Sequence, residues 1–110
     1  MLTRSELWTL MQEAVPGIVR VQRVDSKAPA FIVAEALSPL SSHRFDVIDY
    51  TIEIPVLRMP EALAEDSRAV ALRRLCAERA WSHTYVFGVS ENWGGPSYTF
   101  TLTVQVEKDA

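Results

Sequence analysis

The chain has 110 residues, the length of one domain, and its 48 % apolar content with only 4 glycines excludes disorder over most of that length. Eleven basic residues against fourteen acidic ones give a formal charge of -3, which excludes a general attraction for a polyanion such as DNA. The longest apolar runs, such as Ala30 to Ala34, fall far short of the ~20 residues of a membrane span, and Cys76 as the single cysteine excludes an intrachain disulfide and a cysteine-built zinc cage.

Met1 to Arg20 lacks the apolar segment and cleavage site of a secretory signal, so the expectation is a cytosolic, non-exported chain. Within it, Thr3-Arg4-Ser5-Glu6 has the spacing of a capping box, and Leu2 and Leu7 stand at the positions of a hydrophobic staple. Leu7, Leu10, Met11 and Ala14 then recur at helical spacing until Pro16-Gly17 stops the helix. Ile18 to Val24 alternates Val19 and Val21 with Arg20 and Gln22 and predicts a strand. Asp25 to Pro29 predicts a turn, and the apolar run Ala30 to Ala34 a short strand covered on both faces. Ser38 to Asp46 is polar, carries a proline and predicts a mobile connection.

Ile48, Tyr50, Ile52, Ile54 and Val56 alternate with Asp49, Thr51, Glu53 and Pro55, which predicts a strand with one apolar and one polar face. Pro55 cannot donate to a ladder, so the far end of this strand must be an edge, a bulge or an exit. Pro60 suits a first helical position, and Glu61 to Ala80 is filled with good helix formers. Ala69, Leu72, Leu75, Cys76 and Ala80 form its apolar stripe. Arg68, Arg73, Arg74, Glu78 and Arg79 form a charged outer side, with Arg74 and Glu78 paired at i,i+4. Thr84 to Val89 and Tyr98 to Val106 predict a long hairpin turned at Ser90 to Pro96, where Gly94 and Gly95 are free to take positive φ. Glu107 to Ala110 is expected to fray. The expected architecture is a single α+β domain over residues 1–110, with one mixed or mainly antiparallel sheet of about five strands and two packed helices.

The inventory of reactive groups is short. His43 and His83 are the only histidines, and neither has a second at helical ligand spacing, so no metal site and no cofactor are expected. Ser41 or Ser42 with His43 and Asp46 makes a triad on paper, but a triad is defined by geometry and no nucleophile elbow is present. Gly94-Gly95 precedes a strand, where a phosphate cradle opens a helix. Asp49 and Glu53 lie roughly 13 Å apart along one strand face, too far for a hydrolase pair, and solvent or a channel is their expected surrounding. Cys76 on the apolar side of a helix reads as an inert buried thiol.

Surface features carry more. Trp93 at the tip of a Gly-rich turn either anchors a partner or folds back to pin the loop. The Thr-rich polar faces of the long strands and the strand end at Pro55 either make subunit contacts in a ring or are simply solvated.

The whole pattern resembles the tail terminator proteins of long-tailed bacteriophages, the group that includes the one from phage lambda. The likeness runs through the N-terminal helix, Ala28-Pro29-Ala30-Phe31-Ile32-Val33, then Asp49 to Val56 leading through Pro60 into the long helix. Tyr85-Val86-Phe87 and Tyr98 to Leu102 complete it. The resemblance implies a structural virion protein of the tail neck, assembled in the host cytoplasm, with no catalytic residues. It implies a homo-hexameric ring that binds the last ring of the tail tube, stops its polymerisation and offers its other surface to a head-side completion or connector protein. DNA then passes through the ring without specific nucleic-acid binding, and no membrane is involved. Asn92, Trp93, Gly94 and Gly95 at one turn and His43, Arg44 and Phe45 at another are the expected partner-facing residues, with Asp49 and Glu53 as lumen or subunit contacts. This chain is shorter than some members of that group, so contacts made by their longer loops do not carry over. Two alternatives stay open: another head-tail joining or tail-completion protein, and a small-ligand binder or enzyme whose pocket joins two of His43, His83 and Cys76.

Overall fold

A computed structural model describes residues 2–20, 28–56, 66–91 and 94–108. The elements run α1 (Arg4–Ala14), β1 (Val19–Arg20), β2 (Phe31–Leu37), β3 (Phe45–Pro55), α2 (Ser67–Arg79), β4 (Ser82–Val89) and β5 (Pro96–Glu107). The strands form one sheet in the order β1-β2-β3-β5-β4. β1 and β2 pair in parallel and all other neighbours are antiparallel, so the expected α+β class with a five-stranded mixed sheet is what the chain adopts.

The capping box starts α1. Thr3 Oγ1 accepts from the Glu6 amide at 3.1 Å, and the Thr3 amide donates to Glu6 Oε1 at 3.3 Å. Past its C-terminus, Gly17 takes φ +90°, and a Cβ there would lie 3.1 Å from Pro29 Cγ. Glycine is needed both for the left-handed backbone and for the close approach of Pro29.

Alternation decides which way β3 and β5 face. Ile48, Tyr50, Ile52 and Ile54 pair with Val104, Leu102, Phe100 and Tyr98, and these eight belong to one core with Leu7, Met11, Leu72 and Cys76 of the two helices. Burying each large side chain contributes on the order of 2 kcal/mol before entropy is counted. Both helices cover this face of the sheet. Tyr85 and Phe87 of β4 share it, with ring centroids 5.4 Å from Phe100 and 4.9 Å from Tyr98.

Several expectations need correcting. β2 runs on to Leu37, and only its start is covered: Phe31 and Ile32 are buried, whereas Ala34 to Leu37 are exposed. A register shift between Ile32 and Ala34 places both Ile32 and Glu35 on the helix side, where the Tyr50 hydroxyl donates to Glu35 Oε1 at 3.3 Å. The polar connection after β2 is a hydrogen-bonded hairpin turn rather than a loose loop. Ser38 N–H donates to Val47 O at 2.8 Å, Ser42 N–H donates to Phe45 O at 2.9 Å, and Phe45 and Asp46 already belong to β3.

α2 does not run unbroken from Glu61. Asp66 has extended backbone and is the N-cap, its carboxylate accepting from the amides of Arg68 and Ala69 at 3.0 and 3.3 Å. The segment 57–65, including Pro60, lies outside the described residues, as do 21–27 and with them most of the strand expected over Ile18 to Val24. Arg68 turns back to bond Asp66 Oδ2 at 2.8 Å and Pro29 O at 3.1 Å, which ties the start of α2 to the entry of β2. Ala80 is exposed in the left-handed conformation that ends the helix, so the buried stripe is Ala69, Leu72, Leu75 and Cys76. Glu107 does not fray: it closes β5 opposite Phe45 and donates its amide to Leu2 O at 2.7 Å.

Candidate functional site

With both helices on one side, the other face of the sheet remains to be accounted for. Register places Ala34 and Ala36 of β2, Val47, Asp49, Thr51 and Glu53 of β3, Thr99, Thr101, Thr103 and Gln105 of β5, and Ser82, Thr84 and Val86 of β4 on that open face. Thr51, Thr101 and Thr84 stand side by side across three strands. Asp49 accepts a hydrogen bond from Thr103 Oγ1 at 2.8 Å, which holds its carboxylate down on the sheet. Among the described residues, no lysine or arginine occupies a strand position on this face. The arginines and the lysine described lie elsewhere: on the helix side, at the β2–β3 turn and at the end of β5.

One end of the open face is closed. Glu53 is buried and accepts from Ser90 Oγ at 2.8 Å, and Phe31, Pro55 and Ser97 around it are buried too. Glu53 therefore does not stand in solvent or in a channel as its strand position suggested, and only Asp49 of that pair is partly exposed. Pro55 is where β3 leaves the sheet, but it is covered and offers no strand end to a neighbour.

The two turns lie at opposite ends of the sheet, since Phe45 pairs with Glu107 at one end and Val89 with Pro96 at the other. At the first, His43 and Arg44 are exposed at the tip, whereas Phe45 is half-buried as the first residue of β3. Exposed Leu40, at 73 %, accompanies them. At the second, Gly94 is exposed with φ +79° and donates its amide to Ser90 O at 2.8 Å; of the two glycines expected to be free for positive φ, it is the one that uses that freedom. Gly95 is half-buried, its carbonyl taken by Ser90 N–H, and Asn92 and Trp93 lie outside the described residues.

The paper triad is not assembled. Ser41 Oγ accepts from Val47 N at 2.9 Å and Ser42 Oγ from Arg44 N at 3.1 Å. Asp46 is buried against Arg4 at 3.1 Å, and Lys108 approaches it at 3.8 Å. Cys76 is a buried free thiol, and burial pushes its pKa up to about 11. His83 Nδ1 lies 3.2 Å from Trp81 O on β4, far along the chain from the His43 turn. An open groove of about 630 Å³ lies beside Leu2, Leu40, Val47, Trp81, Thr103 and Gln105, and neither histidine nor Cys76 lines it. Among the described residues, no group of three or more His, Cys, Asp or Glu side chains converges to hold a metal ion. Nor is any helix among them long and apolar enough to cross a membrane. No known family model matches the chain, and no curated protein matches it either.

Sequence reasoning found the Thr-rich face through its alternation with Leu and Phe. It missed the Ser90–Glu53 bond, which joins residues 37 positions apart, and it missed Arg73, whose guanidinium lies 5.3 Å over the Tyr85 ring beside the outer strand.

Proposed function

We propose that this chain is an assembly subunit of the tail terminator kind, a hexameric ring that caps a tail tube, stops its polymerisation and forms the joint to a head-side completion or connector protein. The observation that carries the reading is the open sheet face: small hydroxyl side chains, one hydrogen-bonded Asp49 and no lysine or arginine at the described strand positions of that face. A channel lined by such a face gives a passing DNA backbone no countercharge to hold it, so the duplex slides. The helix layer then faces outward. The exposed turns around His43 and Gly94 point to opposite ends of the ring, one for each partner.

Negative-stain imaging of the purified chain, alone and mixed with a tail-tube protein, tests this reading. Rings with a central channel, found at the ends of tubes in the mixture, are expected. Single subunits only, in both samples, would sink the proposal.

A further inference from the structure

Among the described residues β4 is the outermost strand of the sheet, bonded to β5 on one side. The direction of its backbone groups follows from the hydrogen bonds at its end. Ser90 N–H donates to Gly95 O at 2.8 Å. Residues of an antiparallel pair alternate between bonding across the pair and bonding away from it. Gly88, Val86, Thr84 and Ser82 therefore bond across to β5, while Val89, Phe87, Tyr85 and His83 turn their N–H and C=O groups outward. Pro96 opposite Val89 fits this phase, because it has no N–H and its carbonyl is taken from the other side by Val56 N–H at 3.0 Å.

Such an edge is normally blunted by charge, proline or a bulge. β4 reads Ser-His-Thr-Tyr-Val-Phe-Gly-Val in unbroken register, without Lys, Arg, Asp, Glu or Pro, and Val86 and Val89 are 65 % and 76 % exposed. Beside it, Arg73 of α2 rests on the Tyr85 ring, and among the described residues no carboxylate lies within salt-bridge distance of that guanidinium.

We infer that the outer edge of β4 is a β-augmentation site for an extended segment of a partner protein carrying an acidic residue opposite Tyr85. A strand added there accepts and donates through the outward groups of His83, Tyr85, Phe87 and Val89. Its residue opposite Tyr85 projects to the helix side, where Arg73 has no carboxylate partner among the described residues, and β-branched residues suit the flanking positions beside Thr84 and Val86. Two-fold pairing with a second copy is disfavoured by charge. It brings one α2 beside another, and each carries four arginines against one glutamate. The site does not depend on the ring reading, since it needs only the single subunit.

Amide hydrogen exchange on the full chain tests it. The probe is a capped threonine–valine peptide of the length of β4 with one central glutamate, and a second peptide has lysine in its place. In the free chain Thr84, Val86 and Gly88 are expected to be protected while His83, Tyr85, Phe87 and Val89 exchange. The glutamate peptide is expected to protect the latter four and to bind about tenfold tighter than the lysine peptide. Arg73→Gln should erase that preference and Arg73→Glu reverse it. Unprotected amides at saturating peptide, or equal affinity for the two peptides, would overturn the inference. Protection of those four amides in the free chain, rising with its own concentration, would overturn it in favour of a second copy.

Discussion

Ser90 Oγ donates to Glu53 Oε1 at 2.8 Å with both side chains buried, so the turn between β4 and β5 is fastened to the end of the central strand β3 by a side-chain bond. This fastening fixes how the Gly94 tip is presented at its end of the domain. Ser90→Ala removes the donor, and losing a buried hydrogen bond costs about 1–3 kcal/mol. Urea denaturation should show that drop in the midpoint with an unchanged slope, while Ser90→Thr, which keeps the hydroxyl, stays closer to the parent.

Asp66 makes the start of α2 sensitive to acid. Burial acts to raise its carboxyl, but the hydrogen bonds from Arg68 and from the Ala69 and Arg68 amides outweigh it and hold the pKa below the ordinary value of 3.8. A depressed folded pKa contributes stability that is fully present above the unfolded value and is lost as pH falls through the folded one. Stability should therefore decline below about pH 4. Asp66→Ala should cost about 1–2 kcal/mol near neutrality and flatten that decline in denaturant titrations across the acid range.

Alkali works through two buried groups whose linkage is opposite in sign to that of Asp66. Burial raises Cys76 from 9.0 to about 11, and burial with the nearby Glu35 carboxylate raises Tyr50 from 10.0 to about 12. A raised folded pKa contributes stability that is complete below the unfolded value and disappears as pH climbs through the folded one. Thermal melts should fall from about pH 9 upward, the ordinary range of a thiol. Cys76→Ala should remove the first part of the decline and Tyr50→Phe the later part. In the native chain at neutral pH, Cys76 should react with a thiol reagent only after unfolding.

Gly17 offers a test of local geometry. With φ at +90° and a Cβ position 3.1 Å from Pro29 Cγ, Gly17→Ala meets both backbone strain and a contact with the ring. The expected loss is about 1–2 kcal/mol in thermal or denaturant unfolding. An unchanged midpoint would show that α1 and the entry to β2 can separate freely.

What was legible in the sequence depended on how local the cause was. The Thr3–Glu6 box and the alternation of β3 and β5 act between near neighbours, and both elements formed where their residues pointed. The start of α2 at Asp66 was hidden because Ala, Leu, Glu and Arg in the sequence on both sides of it are good helix formers, while the Asp66 side chain takes the Arg68 and Ala69 amides and caps the first turn. The register shift after Ile32 flips the parity of β2, putting Ala34 and Ala36 on the open face and Glu35 on the helix side, which period-two reasoning across that run cannot show. Glu53 looked like a solvent-facing acid by parity. It is buried and bonded to Ser90, which only the folded hairpin brings near. The candidate surfaces were legible in part: the Thr face by composition, the turns by their glycines and serines, but neither the outward phase of β4 nor Arg73 over Tyr85.

Oligomeric state bears most directly on the account, because the open Thr face has a role as a channel lining only in a closed ring. Sedimentation velocity over a range of concentrations should show one discrete species of about six subunits, alone or once tail-tube protein is added, in keeping with closed cyclic symmetry. A single subunit at every concentration, with tail-tube protein present as well as absent, would contradict it.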